Sequence, residues 1–185
     1  MDTAVIERIA DEHGTKTLIA EFHTHELTVG AQIDSPEGRL SDHLNGSVSM
    51  VAVQPLYVTQ NRTGESIELE TSHAIIEKDH VLFVVPIAEP PRPSGPGTIS
   101  WRRTNTLPCW ASIGPFKVNG TIHLDAERGD PRIALRLIDR RFLPLTNVRM
   151  TGANGETREY SAVLVNRTHI DMLALLSFDP FAGSR

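Results

Sequence analysis

The sequence predicts a mainly β protein: two tandem small β-barrel or roll domains, each with one short helix, preceded by a short N-terminal helix. Three observations carry this. Two stretches of the 185-residue chain follow one order of segments. Their apolar runs are short, β-branched and bounded by turn residues, which marks strands. A proline-rich stretch lies between them, where a boundary belongs.

Each element has its own signal. Residues 1–14 are expected to hold the N-terminal helix, with Val5, Ile6 and Ile9 as its apolar stripe and Gly14 as its stop. The first β-domain is expected over 15–88 and the second over 99–176. The proline-rich linker at 89–98 separates them, and 177–185 form a tail. The matched segments begin at Glu26 and Phe116, Arg39 and Arg132, Val51 and Leu143, and Ala74 and Val163, with an offset that drifts from 89 to 93. Small loop insertions account for such drift. Asn61 to Glu65 and Gly152 to Glu156 read as hairpin turns, with Asn or Gly to accept positive φ. Val81 to Ile87 is a nearly continuous apolar strand. Arg39 to Asn45 and Arg132 to Arg141 are the helical candidates inside the domains. Gly30 and Gly120, and His80 and His169, recur as structural positions of the repeat.

Bulk properties narrow the function classes. At 39% hydrophobic the chain can build cores, but a copy of roughly 70 residues is marginal alone. The copies are therefore expected to pack together, or the chain to oligomerise. A single cysteine, Cys109, excludes an intrachain disulfide framework and fits a reducing cytoplasm. No apolar run reaches the roughly 20 residues that span a bilayer, and the acidic N-terminus lacks a signal-peptide core. A cytoplasmic protein without a membrane is expected. Residues 1–95 carry 15 acidic and 6 basic side chains, a net of −9, while residues 96–185 carry 8 and 12, a net of +4. Opposite charge on the halves suggests attraction within one chain, or head to tail between chains.

Several residues invite chemistry, each with a plainer reading beside it. His23 and His25 have the i, i+2 spacing that puts two imidazoles on one strand face for a metal; two exposed strand histidines is the plainer reading. His80 and His169 are expected to cap turns or satisfy backbone groups, because a repeated position serves the shared fold. Ser41, Asp42 and His43 spell a hydrolase triad, but contiguous residues point apart, so Ser41 or Asp42 is expected to cap the helix. Arg132, Arg136 and Arg140, with Arg141, make an arginine face suited to an acidic protein surface or phosphate. Nucleic acid is disfavoured, since no stacking aromatics interleave with it. Cys109 beside Trp110 reads as a buried thiol, and Phe178 and Phe181 in the tail as a docking peptide or a folded-back end. There is no phosphate loop, dinucleotide fingerprint, paired-cysteine zinc site or helical His-Glu-x-x-His.

The segments Arg39-Leu40-Ser41-Asp42-His43-Leu44-Asn45, Phe142-Leu143-Pro144-Leu145-Thr146-Asn147-Val148 and Val165-Asn166-Arg167-Thr168-His169-Ile170 resemble a small bacterial domain of unknown function. Its pattern is Arg-Leu-Ser-Asp-Phe-Leu-Asn, then Phe-x-x-Leu-Thr-Asp-Ala, then Val-Asn-Lys-x-His-Ile. His43 departs from it, as do Ala134 and Leu135. The resemblance covers most of both repeats and implies no activity. A second likeness, to the Sm-like fold, rests on the order of strands, but the internal helix follows the second strand rather than preceding the first. The expected function is a non-catalytic interaction or assembly module without cofactors. It would associate with itself or with an acidic protein partner. An Sm-like RNA-binding protein is the alternative, and a metal-dependent enzyme using His23 and His25 the third.

Overall fold

The computed structural model describes residues 17–33, 38–89, 104–125, 130–136 and 138–177. The expected N-terminal helix, most of the linker, and Phe178 and Phe181 of the tail lie outside the described residues. The chain divides into two units, Met1–Pro93 and Ser94–Arg185. The first holds β1 (Ile19–Thr24), β2 (Leu27–Ile33), α1 (Leu40–Asn45), β3 (Met50–Gln60), β4 (Ser66–Ile67), β5 (Ala74–Glu77), a 3₁₀ turn (Lys78–His80) and β6 (Val81–Ala88). The second holds β7 (Thr104–Ile113), β8 (Phe116–Asp125), α2 (Pro131–Arg136), β9 (Phe142–Thr151), β10 (Thr157–Asn166), a 3₁₀ turn (Arg167–His169) and β11 (Ile170–Leu175).

The first unit is an antiparallel sheet ordered β6-β1-β2-β3, with β4 and β5 both paired to β3. The second is ordered β11-β7-β8-β9-β10. In each, the closing strand lies beside the first. Of the barrel or roll expected from sequence, the closed barrel does not form. Among the described residues no ladder joins β6 to β5, or β11 to β10, so the strands of neither unit close on themselves.

Local chemistry explains the shape. The β1–β2 turn is closed by Thr24, whose Oγ1 accepts from the N–H of Leu27 at 2.8 Å and of Glu26 at 3.2 Å. Gly64 and Gly155 adopt φ of 74° and 79° in the turns that follow β3 and β9, a conformation glycine takes without a Cβ penalty. Both long central strands are bulged. Pairing slips between Gly30 and Ala31 against Tyr57 and Pro55. It slips again between Asn119 and Thr121 against Arg149 and Thr146. The slips leave Leu56 and Asn147 as extra residues, and Asn147 takes φ 50°. Pro55 sits beside the first bulge, a place where a strand tolerates a residue that cannot donate.

Alternation then sets the cores. In the first unit Ala20, Phe22, Ala31, Ile33 and Val53 share a face and are buried. Leu40 and Leu44, at i and i+4 of α1, are also fully buried. In the second unit Cys109, Ala111, Val118, Ile122, Leu145 and Val163 do the same. Burial pushes the Cys109 thiol from an ordinary 9.0 up to about 11. The fold therefore holds the neutral thiol. That adds stability below the unfolded value, which is lost as pH rises through the folded one. A thiol-specific disulfide reagent at neutral pH should leave native protein unmodified and label one thiol per chain after denaturation. Rapid labelling of the native state would contradict this packing.

Candidate functional site

A connected polar constellation lies in the first unit, on the face of β1 and β2 opposite Ala20, Phe22 and Ala31. Glu21, Gly30 and Tyr57 are direct neighbours across β1, β2 and β3. One step along, Phe83, His23 and Thr28 are neighbours across β6, β1 and β2. Directly paired residues share a face and sit within side-chain reach. Gly30 makes the arrangement possible. A Cβ there would lie 2.1 Å from Cε1 and Cζ of Tyr57, so the Tyr57 ring occupies the space a side chain would take. The ring delivers its hydroxyl to Glu21, donating to Oε2 at 2.5 Å. Glu21 Oε1 stands 2.6 Å from His23 Nε2, and both residues are buried. The imidazole stacks on Phe83 at 4.2 Å between centroids and 16° between planes.

Counting donors places the protons. Asn61 Nδ2 donates to the Thr24 carbonyl at 3.0 Å, which leaves Oδ1 facing Thr28 as acceptor. Thr28 Oγ1 donates its single proton there, at 2.7 Å. At its 3.2 Å contact with His23 Nδ1, Thr28 must therefore accept, so Nδ1 carries a hydrogen. The Glu21–His23 contact then holds one proton in common, either as imidazolium against carboxylate or as imidazole against carboxylic acid. The chain from Tyr57 to Asn61 is satisfied from end to end. It is a charge-balanced network that fixes side chains on three strands.

The expected His23–His25 pair does not share a face. β1 ends at Thr24, and His25 lies exposed in the turn, whereas His23 is buried against Glu21. Among the described residues no group of three or more His, Cys, Asp or Glu side chains could hold a metal ion. The partner of His23 is Glu21, two residues before it rather than two after. The strand alternation that suggested His25 pointed equally to Glu21.

His80 and His169 both close a 3₁₀ turn. His80 is exposed and His169 half-buried. The cation two residues earlier bonds to carbonyls at or just past the end of each short helix. Lys78 is 1% exposed, and its Nζ donates to the carbonyls of His43 at 2.7 Å and Gly46 at 3.2 Å, at the C-terminal end of α1. Arg167 Nη1 donates to the carbonyl of Ile138, just past α2. The backbone N–H groups of the two cations also bond in parallel, to the carbonyls of Ser49 and Arg141 ahead of β3 and β9. Cations suit these ends, where orphan carbonyls carry partial negative charge.

The remaining candidates separate. Asp42 accepts from the N–H of Arg39 at 3.3 Å, so it supports the start of α1. α2 ends at Arg136 instead of Arg141, so Arg140 lies in the following loop and the expected helical arginine face is not continuous. Arg136 and Arg140 are exposed and Arg141 is half-buried; the Arg132 side chain lies outside the described residues. Gly30 and Gly120 are not equivalent. Gly30 is the fourth residue of β2 and Gly120 the fifth of β8, and a one-residue difference faces them to opposite sides. Counted from the turns, the second-unit residues at the places of Glu21, His23, Gly30 and Tyr57 are Trp110, Ser112, Asn119 and Arg149. Among the described residues no helix is long and apolar enough to cross a membrane. Compared with protein families, curated proteins and solved structures, the chain matches none.

Proposed function

We propose that the chain is a non-catalytic assembly module, a scaffold or accessory subunit built from a duplicated β-domain. One observation carries this reading: what recurs in the two units is framework, and what differs is chemistry. Strand order, central bulge, short helix and helix-end cation have counterparts in both units. The Tyr57–Glu21–His23 network has none; Trp110, Ser112 and Arg149 stand in its place. The network is closed on itself, with both carboxylate oxygens engaged, which suits a rigidifying element. The charges of −9 and +4 on the two halves favour association with a second copy, and the exposed Arg136 and Arg140 suit an acidic partner surface. Light scattering behind size exclusion should show a discrete oligomer that loosens in high salt. A salt-insensitive monomer at every dilution overturns self-assembly.

A second reading, an Sm-like RNA-binding protein, draws support from the closing strand lying beside the first in each unit. Absorbance at 260 and 280 nm in the same experiment discriminates. Co-purifying nucleic acid that salt removes would favour RNA, and its absence at low salt removes that reading.

A further inference from the structure

Among the described residues, β5 and β11 each lie at an edge with little of the usual protection. Among the described residues β5 pairs with β3 alone and β11 with β7 alone. Each therefore presents a row of backbone donors and acceptors along its outer side. Proteins blunt such edges with lysine, proline, bulges, or strands too short to pair. β4, with two residues, is of the short kind. β5 reads Ala-Ile-Ile-Glu and β11 reads Ile-Asp-Met-Leu-Ala-Leu, with no lysine and no proline; the irregularity in β11 is confined to its start at Asp171, which leaves Met172 to Leu175 in regular register with β7. Both also expose a large apolar side chain, Ile75 at 66% and Met172 at 57%.

We propose that β5 of one copy pairs antiparallel with β11 of a second copy, head to tail. This rests on the assembly reading and names its interface. The occupant follows from charge and pattern. Pairing β5 with β5 would bring together two halves that each carry −9, and β11 with β11 two halves that each carry +4, whereas β5 with β11 joins opposite signs. Alternation is also compatible. Ile75 is on the outer face with Met172, while Ile76 and Leu173 fall on the core side. A paired edge would thus extend the sheet with apolar residues meeting on both faces. Such a contact is heterologous, so each copy keeps one β5 and one β11 available for the next.

The test uses Ile75→Lys and Met172→Lys in the full-length chain. Both positions are exposed, so folding should persist, and an unchanged circular dichroism spectrum and melting temperature check this. Lysine at both sites prevents a new ion pair from rescuing the blocked combination. Each variant alone should run as a monomer in light scattering, and an equimolar mixture should form a dimer and nothing larger. If the wild type assembles and both variants assemble equally well, the edge pairing is wrong and the assembly reading stands. If one variant still dimerises alone, the contact is isologous and the head-to-tail pairing is overturned. A monomeric wild type removes both.

Discussion

Lys78→Met should destabilise the protein by about 2–3 kcal/mol, the range for losing charge-assisted hydrogen bonds while leaving their partners buried. Methionine keeps most of the aliphatic stem, so the loss isolates the ammonium. The carbonyls of His43 and Gly46, which accept from the Lys78 ammonium, stand at the end of a six-residue helix. Such a helix is too short to be stable by propensity and depends on its packing and its ends. With the cation gone, these carbonyls lose their donor where Lys78 is 1% exposed. Urea denaturation should show a lower midpoint with an unchanged slope. The matching change Arg167→Met, at an exposed position, should cost less than about 1 kcal/mol, and His80→Ala less than about 0.5 kcal/mol, as for surface positions generally. Equal losses at Lys78 and His80 would return the repeated histidine to the structural role that the sequence suggests.

That contrast shows where sequence reading loses information. β6 is legible as a nearly continuous apolar run, buried at Val81, Leu82, Phe83 and Val84, and the start of β3 as alternation, with Val51 and Val53 buried and the residue before each exposed. Turns at Gly64 and Gly155 are legible because positive φ selects glycine. Register is not legible in the same way. Gly30 and Gly120 occupy similar surroundings in the text of the chain, yet a single residue between turn and bulge sends one to the core side and the other away from it. Nor does composition reveal which member of Lys78-Asp79-His80 turns inward, because a 3₁₀ turn sends successive side chains in different directions. Histidine draws notice as the reactive type, while the buried lysine looks like an ordinary surface charge. Closure fails for a related reason: each strand can be read alone, but whether β6 meets β5 depends on curvature accumulated across bulges. The Glu21–His23 contact spans two residues of one strand, yet it means little without Tyr57, thirty-six positions from Glu21.

The second large effect is expected at Gly30. Gly30→Ala places a Cβ 2.1 Å from the Tyr57 ring, well inside contact, so the ring must leave. Forcing a group into a packed site costs about 1–3 kcal/mol. Displacing the ring also removes the 2.5 Å bond from its hydroxyl to Glu21, adding about 1–3 kcal/mol for an acceptor left buried without its donor. Gly120→Ala is milder, since its nearest atoms are Val148 Cγ2 at 3.2 Å and the Thr146 carbonyl at 3.3 Å. A double-mutant cycle separates the two parts of the Gly30 effect. Tyr57→Phe removes only the hydroxyl. If Gly30→Ala already breaks that bond by moving the ring, the double variant should be less destabilised than the sum of the single ones, by about the energy of the hydrogen bond. Strict additivity would mean that the ring slides without releasing Glu21. The glycine would then serve only to clear space, and the network on β1, β2 and β3 would not depend on it.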